Sequence, residues 1–378
     1  MPLDTVDLSG EEQALHAYFR EGEARARTIG NRGTIRFTDD GKLHPEIIDA
    51  YERCGFYVFE GVLSARELSE LESDFVDMQD RLPSAPDSKV DRKGRPALGS
   101  DRSTPVALWS KPLGDPFGGT SIGNGRHQVR MFQPEAAEEL PDQIAFSINL
   151  PLQYSDANLR LLAHPKLLAV VEALYGEDFV PLAEAIIIKK PGEGASFSWH
   201  QDGVVEDPQA AGFQLMAQLY GSTAANGVWY LPGSHKLGRV DLDAMSRDAG
   251  GDRLPGAVPI VCGPGDVAIS NRQVAHGSFP NTSPDLRVTF NLGFHRFRTL
   301  EETVGTRFFD SARVANTPEA IRKRCEMVGY ATAARREHFR DEAPFVYRPH
   351  VAAGQVFRWD DEARQAVLDL HGVEIVVP

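Results

Sequence analysis

The second half of the chain alternates short apolar runs with turns that are rich in glycine and proline. One such run, Ala185-Ile186-Ile187-Ile188-Lys189, has the length of a buried β-strand and is followed by a Pro-Gly-Glu-Gly turn. Similar runs lie at 213–220, 228–231, 257–262, 266–270 and 286–297. Repeated short strands between such turns predict a mainly β fold, a sandwich or double-sheet jelly roll, rather than an alternating α/β sheet.

Apolar residues recur at helical spacing before and after these strands. Ser64 and Glu67 form a capping box at the start of one predicted helix, and Gly176 ends another. His164 stands before Pro165, where we expect a capping or surface role and no ligand role. The predicted helices lie at 10–27, 44–54, 64–78, 159–174, 318–330 and 359–370.

Between residues 81 and 125 the chain loses this periodicity and becomes rich in Pro, Asp, Ser, Lys and Gly. Trp109 and Phe117 interrupt the polarity, so we expect a lid rather than a disordered segment, and 127–132 is expected to return to the core as a strand. The charged N-terminal segment is expected to present a solvated face or to lie on a partner subunit of a homo-oligomer. The predicted parts are an arm at 1–43, a jelly-roll domain at 44–300 with its lid loop at about 81–132, and a helical extension at 301–378 that packs on the core or on a partner subunit.

Composition argues against several classes of protein. The 378 residues are 42% hydrophobic and 25% charged, which is ordinary for a globular protein. The first stretch of the chain lacks the apolar core of a secretory signal, and no run of about eighteen apolar residues occurs, so we expect a cytoplasmic protein without a membrane span. The net charge of −14 repels phosphate backbones and anionic lipid surfaces, so nucleic acid is not an expected partner. Cys54, Cys262 and Cys325 have no Cys-x-x-Cys spacing, which argues against a disulfide framework or a zinc site.

His200 and Asp202 stand two residues apart in the sequence Trp-His-Gln-Asp-Gly. Side chains at i and i+2 of a strand point to the same face, so both groups can reach one metal ion. A His-x-Asp pair is common by chance and needs a third ligand, for which His235, His276 and His295 are available downstream. Two imidazoles and one carboxylate on one side of a metal are the ligand set of non-haem Fe(II) oxygenases.

A series of motifs shares its order with a known family. The motifs are Trp199-His200-Gln201-Asp202, Asn226-Gly227, Pro232-Gly233-Ser234-His235, Gly265-Asp266, His276-Gly277-Ser278 and Arg287. Over about residues 45–298 the sequence resembles the phytanoyl-CoA dioxygenase (PhyH) family of Fe(II)/2-oxoglutarate oxygenases. The resemblance implies a double-stranded β-helix with helices packed outside one sheet. It also implies that His276, with His200 and Asp202, supplies the metal ligands and catalytic residues.

The resemblance further implies two co-substrates, 2-oxoglutarate and dioxygen, at an Fe(II) ion. A desolvated carboxylate needs a charge-assisted and preferably two-pronged partner, which arginine supplies better than lysine. Arg287 is therefore expected to bind the distal carboxylate of 2-oxoglutarate, and Ser278 to add a hydroxyl. Phe197, Trp199 and Gln218 are expected on the wall of the cofactor site. The implied reaction hydroxylates an unactivated C–H bond of a free small-molecule substrate, with release of succinate and carbon dioxide.

The substrate is expected to be selected by the lid and by the insert between the predicted strands. His127, Arg130, Tyr230 and Arg296 are the polar candidates for contact with it. Three alternatives stay open: an acyl-CoA hydroxylase of the same family, a cupin-type metal-dependent oxygenase or isomerase that does not use 2-oxoglutarate, and a non-catalytic module that keeps the fold. Cupin ligands usually include a His-x-His pair and need no arginine clamp, and a non-catalytic module need not keep every ligand.

Overall fold

The computed structural model describes residues 9–203, 212–306 and 312–370. Its helices are α1 (Ser9–Thr28), α2 (Pro45–Cys54), α3 (Ala65–Asp80), α4 (Asp156–Leu162), α5 (Pro165–Tyr175), α6 (Leu242–Ala249), α7 (Phe297–Leu300), α8 (Pro318–His338), α9 (Arg348–Ala352) and α10 (Asp361–Asp369). Its strands are β1 (Arg32–Gly33), β2 (Phe56–Phe59), β3 (Ala107–Ser110), β4 (Ile144–Asn149), β5 (Phe179–Lys189), β6 (Phe197–His200), β7 (Phe213–Gln218), β8 (Trp229–Tyr230), β9 (Val258–Pro259), β10 (Val267–Asn271), β11 (His276–Ser278), β12 (Arg287–Arg296), β13 (Val304–Thr306) and β14 (Arg313–Ala315). Helices thus flank a strand-rich centre, as the hydrophobic pattern predicts.

Two sheets form the core of the protein. The larger has the strand order β1-β2-β10-β7-β12-β5-β4-β3, and the smaller has the order β6-β11-β8-β9. The Tyr230 ring of β8 stacks on the Phe56 ring of β2 at 4.8 Å, and its hydroxyl donates to Ser270 Oγ of β10 at 2.9 Å. These contacts show that the two sheets pack face to face. The predicted mainly β fold with a double-stranded β-helix at its core is confirmed.

The outer face of the larger sheet is covered by helices. Along β12, Val288, Phe290 and Leu292 join a core cluster that includes residues of α2, α3, α5 and α8. Because side chains alternate along a strand, Arg287 and Thr289 point the other way, into the space between the sheets. The apolar side of this strand therefore fixes where its polar side lies.

The helix predicted at 159–174 is two helices in the structure, because α4 ends at Leu162 and α5 begins at Pro165. A proline disfavours helical geometry in the residue before it, and His164 has extended backbone angles. The His164 side chain accepts a hydrogen bond from Leu167 N at 3.4 Å. The expected capping role of His164 is confirmed.

The predicted lid segment holds more structure than its sequence indicates. β3 lies within it and pairs with β4, a second strand that the sequence did not predict, at the edge of the larger sheet. The strand predicted at 127–132 was wrong, because this segment has no regular secondary structure. Side chains hold it instead: Asp115 accepts a hydrogen bond from Met131 N, and Asp252 accepts one from Phe132 N.

Helix α1 packs on the smaller sheet of its own chain. The Tyr18 ring stacks on the Trp229 ring at 4.6 Å, and Arg25 donates to Ala257 O at 2.9 Å. A Cβ atom at Gly22 would lie 2.3 Å from the Trp229 ring, so only glycine permits this close approach. One face of α1 is therefore covered by the chain itself, while charged side chains of the same helix, among them Glu21, are exposed.

The C-terminal extension braces the larger sheet through α8. Arg324 is buried and forms an ion pair with Glu184 of β5. It also donates to Pro181 O at 3.3 Å and to Leu182 O at 3.2 Å. Among the described helices, none combines the length and apolarity needed to cross a membrane.

Candidate active site

Two histidines that are far apart in sequence meet across the smaller sheet. β6 and β11 are antiparallel, and their register sets His276 opposite His200, with ring centroids 4.1 Å apart. Asp202 lies two residues beyond the end of β6, with Oδ1 at 3.4 Å from His200 Nε2 and Oδ2 at 4.0 Å from His276 Nε2. The ligand atoms of all three side chains lie within 4.8 Å of one another. They can therefore contact one metal ion from one side.

Hydrogen bonds to the backbone orient both imidazoles. His200 Nδ1 lies 2.7 Å from Ser198 O, and His276 Nδ1 lies 2.9 Å from Val274 O. A carbonyl oxygen only accepts, so each Nδ1 carries the proton and each Nε2 presents its lone pair to the shared point. Orientation of this kind is typical of metal-binding histidines. Two imidazole nitrogens and one carboxylate fit an Fe(II) ion of the oxygenase type.

The other two candidate third ligands lie elsewhere. His235 Nε2 donates to Glu52 O at 3.1 Å, and His295 Nδ1 is hydrogen-bonded to Thr299 Oγ1 at 2.9 Å. His276 is the candidate that the structure brings to His200 and Asp202.

Asp202 is surrounded by donors that the sequence did not indicate. Gln214 Nε2 donates to its Oδ2 at 2.8 Å, and the guanidinium groups of Arg126 and Arg272 lie 3.3 and 3.8 Å from its carboxylate oxygens. Burial alone would raise the pKa of Asp202, but the two arginines outweigh it and hold the pKa well below its usual value. Burial and the neighbouring His200 lower the pKa of His276 to about 3. At neutral pH the site therefore offers an ionised carboxylate and a neutral His276 imidazole.

His127 lies beside the candidate ligands. Its ring is 4.1 Å from the His200 ring, and its Nδ1 is 2.9 Å from Ser198 Oγ. Phe117 of the predicted lid packs on His127 at 5.0 Å and on Phe197 at 5.7 Å. The aromatic side of the lid thus closes over this part of the site.

The other three candidates for substrate contact lie in different surroundings. Arg130 is exposed and donates to Gly118 O, a hydrogen bond between two parts of the lid. Arg296 donates to Leu174 O and lies over the Tyr175 ring, so it contacts α5. Tyr230 is fully buried between the sheets, with its ring 5.5 Å from the His276 ring.

Trp199 is not on the wall of the site. It follows the alternation of β6 to the face opposite His200, and its indole nitrogen donates to Asp252 O at 2.7 Å. There it belongs to a core cluster that includes Phe19 and Leu254. The expectation for Trp199 overlooked that neighbouring strand residues point to opposite faces.

The space between the sheets holds a chain of polar side chains. Arg287 is 2% exposed, and it donates from Nε to Thr289 Oγ1 and from NH1 to Asn226 O, both at 2.9 Å. The Thr289 hydroxyl in turn donates to Gln218 Oε1 at 2.9 Å. Two residues singled out from sequence, Arg287 and Gln218, are thus joined through Thr289.

Lys189 is a buried residue of this space that sequence reasoning missed. It stands opposite Arg287 in the pairing of β5 and β12, and its Nζ donates to Ser278 Oγ at 2.8 Å and to Phe279 O. Burial, with the nearby Arg287, lowers the pKa of Lys189 well below its usual value, and burial lowers that of Arg287 to about 10. Within the described residues neither side chain forms an ion pair with a carboxylate. Two buried basic groups with only neutral partners are suited to bind an anion.

Comparison with known proteins gives one relative that is named a dioxygenase and several solved structures with a partly similar fold. The chain is 29% identical over 172 residues to "Dioxygenase lolE1" of Epichloe uncinata, an alignment that covers 44% of this chain and 66% of the relative. EctD from S. alaskensis with 2-oxoglutarate and 5-hydroxyectoine is 20% identical, with 71% of this chain and 81% of EctD covered and a TM-score of 0.49. EvdMO1 is 23% identical, with 66% of this chain and 49% of EvdMO1 covered and a TM-score of 0.45. The chain therefore spans just under two thirds of the first relative and about half of EvdMO1.

The family model of phytanoyl-CoA dioxygenase (PhyH) matches residues 51–289. This range begins in α2 and ends in β12. It contains the site residues of both sheets, from His200 to Arg287. It also covers more than half of the chain. The protein belongs to the phytanoyl-CoA dioxygenase family of Fe(II)/2-oxoglutarate-dependent oxygenases.

Proposed function

We propose that the protein hydroxylates an unactivated C–H bond of a free small-molecule metabolite, with Fe(II) as its metal and 2-oxoglutarate and dioxygen as co-substrates. The observation that carries the proposal is the convergence of His200 Nε2, Asp202 and His276 Nε2 on one point between the sheets. The same interior contains Arg287 and Lys189, two buried basic groups without carboxylate partners in the described part of the chain. A metal site and an anion site in one barrel fit a co-substrate that has a chelating end and a distal carboxylate.

In this proposal some residues of the site bind the metal and others orient the metal ligands. His200, Asp202 and His276 hold the iron on one side and leave its other positions open for ligands. The iron, when bound, supplies dioxygen activation coupled to oxidative decarboxylation of 2-oxoglutarate to succinate and carbon dioxide. The carbonyls of Ser198 and Val274 fix the imidazole orientation, and Gln214 fixes Asp202.

The anion site is proposed to hold the distal carboxylate of 2-oxoglutarate. Thr289 and Asn226 orient the Arg287 guanidinium from two sides. Lys189 and Ser278 supply an ammonium group and a hydroxyl from the neighbouring strands. A carboxylate bound here would balance the charge of Lys189 and Arg287, whose partners in the described part of the chain are all neutral.

A free metabolite is favoured over an acyl-CoA thioester. Coenzyme A carries several phosphates and needs basic side chains that are available to bind them. Two basic residues of the lid are already paired: Lys93 Nζ is 2.8 Å from Asp80, and Arg95 is 2.7 Å from Asp80 and 2.6 Å from Asp91. The side of the lid that faces the site is formed by Phe117 and His127, which suits an apolar body with one or two polar groups.

The proposal is tested by titrating the protein with Fe(II) and 2-oxoglutarate without oxygen. A weak visible charge-transfer band should appear only when both are present, and His276→Ala should remove it. Oxygen is then admitted with a panel of acids, amino acids, ring-containing metabolites and acyl-CoA thioesters, and succinate is measured. Oxidation of any substrate without 2-oxoglutarate would favour a cupin-type enzyme, and turnover confined to thioesters would favour an acyl-CoA hydroxylase.

A further inference from the structure

Two arginines from distant parts of the chain converge on Asp202. Arg126 belongs to the lid segment and precedes His127, and it donates from NH1 to Asp202 O at 2.7 Å. Arg272 follows β10, and its backbone oxygen accepts from Asp202 N at 2.9 Å. Their NH2 atoms lie 3.3 Å and 3.8 Å from the two carboxylate oxygens. Both guanidinium groups therefore border the same side chain that faces the metal position.

The donors of these arginines are not fully used. A guanidinium has five N–H donors, and a buried donor without a partner costs free energy. The Nε atoms of Arg126 and Arg272 are both buried and have no hydrogen-bond partner within residues 9–203, 212–306 and 312–370. The Arg272 side chain is only 9% exposed, and it forms an ion pair with Asp202 at 3.8 Å. Among the described residues, this pair of cations shares one carboxylate.

Metal binding would increase the excess of positive charge around Asp202. Asp202 is also a proposed ligand, so the metal draws on the negative charge that the arginines share, and it adds two positive charges. The other carboxylates near the lid, Asp115 and Asp252, accept hydrogen bonds from backbone N–H groups of the lid itself. The distal carboxylate of 2-oxoglutarate has its own proposed partners in Arg287 and Lys189. The chelating carboxylate of 2-oxoglutarate supplies one negative charge at the metal. With Asp202 it offsets two of the four positive charges of the metal and the two arginines, so an excess of positive charge remains that a further anion would reduce.

We propose that Arg126 and Arg272 bind a carboxylate of the substrate, so that the substrate class is small carboxylic acids. This rests on the proposed function, because it assumes that the metal and 2-oxoglutarate occupy the barrel. A planar guanidinium group can donate two parallel hydrogen bonds to a carboxylate, and two such groups can hold the carboxylate in one orientation. Because His127, next to Arg126, packs on His200 at 4.1 Å and both guanidinium groups border Asp202, an acid held here lies beside the metal position.

The simpler role for both arginines is to balance the charge of Asp202. Gln214 already donates to Asp202 at 2.8 Å, and a single carboxylate needs only one guanidinium for charge balance. A balancing role predicts no preference for acids over neutral compounds, whereas a binding role predicts a strong one. The two roles therefore differ in a measurable way on the unaltered protein.

The first measurement uses the anaerobic protein with Fe(II) and 2-oxoglutarate and three acids: acetate, benzoate and N-acetylproline. Each acid is compared with its primary amide, which has nearly the same shape and no charge. Binding is followed by the change in the charge-transfer band and by the melting temperature, and melting is repeated with Zn(II) in place of Fe(II). We expect at least one acid to bind about tenfold or more tightly than its amide.

The second measurement uses variants. Arg272→Gln and Arg126→Gln should each weaken binding of the acid by about tenfold or more and leave binding of the amide unchanged, while Arg272→Lys should keep part of the preference. Arg92→Gln, at an exposed position of the same lid, removes the same charge and should have no effect. The affinity for 2-oxoglutarate should be unchanged in all four variants.

Equal binding of acids and amides, or binding of none of the acids, would overturn the assignment of the substrate class. Loss of 2-oxoglutarate affinity in the arginine variants, with acid binding retained, would also overturn it, since the arginines would then serve the co-substrate. Failure of the charge-transfer band to form in the unaltered protein contradicts the proposed function instead. In that case, a preference for acids in the Zn(II) protein would still support carboxylate binding by Arg126 and Arg272.

Discussion

Lys189 and Arg287 stand opposite each other in the pairing of β5 and β12, and both side chains are buried between the two sheets. Their partners among the described residues are hydroxyl and carbonyl oxygens. Two basic groups held close together out of water repel each other and lose hydration. We therefore expect a bound anion to stabilise the barrel.

Lys189→Met should remove the repulsion between the two basic groups and the cost of burying the amine. We expect the variant without ligand to melt at a higher temperature than the unaltered protein, because a buried apolar group replaces a poorly solvated amine. We also expect most of the stabilisation by 2-oxoglutarate to be lost, measured as the shift in melting temperature on addition of the keto acid. Lys190→Met, at the half-buried neighbouring position, is the control. A full 2-oxoglutarate shift in the Lys189 variant would contradict the anion site.

The metal ligands and the anion site should be separable by substitution. His200→Ala or His276→Ala is expected to abolish iron binding, because either change leaves only two ligands. Arg287→Ala is expected to retain iron and to raise the KM for 2-oxoglutarate by about tenfold to a hundredfold, the cost of one lost charge-assisted interaction. Iron content by metal analysis and succinate release measure the two effects. An unchanged KM in Arg287→Ala would show that the residue does not bind the co-substrate.

No halogenated product is expected from this protein. In related halogenases a small residue replaces the carboxylate ligand and leaves a coordination position for chloride, whereas this chain keeps Asp202 at 3.4 Å from His200 Nε2. Turnover in saturating chloride, followed by mass spectrometry, should give oxygenated or desaturated product. Detection of a chlorinated product would mean that Asp202 leaves the metal during turnover.

Acid should destabilise the fold through buried histidines. Burial lowers the pKa of His350 to about 4, and burial with the nearby Arg335 lowers that of His164 to about 4. Their unfolded pKa is about 6.5, so the unfolded chain binds more protons as the pH falls from about 6.5 toward 4, and stability is lost in that window. Each such histidine contributes a slope of up to about 1.4 kcal/mol per pH unit.

The measurement is the free energy of unfolding in denaturant at several pH values. His350→Gln should reduce the slope between about pH 6.5 and 4, since it removes one of these groups. His16→Gln, at an exposed position of α1, serves as the control. An unchanged slope in His350→Gln would show that this side chain is not buried as described.

The ion pair between Arg324 and Glu184 should matter much more than surface pairs. Arg324→Ala leaves a buried carboxylate without its partner and is expected to destabilise the protein by about 3–5 kcal/mol. Arg364→Ala, which removes an exposed pair with Asp156, is expected to cost less than about 1 kcal/mol. Denaturant unfolding compares the two variants. Equal effects would mean that α8 does not brace the sheet.

The parts of the site that follow local rules were predictable from sequence. The i and i+2 spacing sets Asp202, just beyond the end of β6, on the same side as His200, and the alternation of β12 sends Arg287 inward. The choice of His276 needed the family pattern, because spacing alone left three histidines available. The same alternation rule, applied one residue earlier, would have excluded Trp199 from the cofactor wall.

The parts that depend on strand register were not predictable. Nothing near Lys189 in the sequence shows that it will stand opposite Arg287, and a lysine at the end of an apolar run is usually exposed, which gave no sign of its burial. Arg126 and Arg272 come together only through the course of the lid and of β10. Strand β4 was missed although Ile144, Phe146 and Ile148 alternate with more polar residues, because it follows a long irregular segment. The domain boundaries, the homo-oligomer and the cytoplasmic location stay predictions.

The placement of His127 outside the strands has a consequence for directed evolution. His200 and His276 are fixed by the pairing of β6 with β11, whereas His127 and Phe117 reach the same site from a segment without regular secondary structure. A library that randomises this segment, with Arg126 held constant, should therefore yield variants with new substrate ranges that still load iron. Random changes in β6 or β11 should instead yield mostly metal-free protein, so screening effort belongs in the lid.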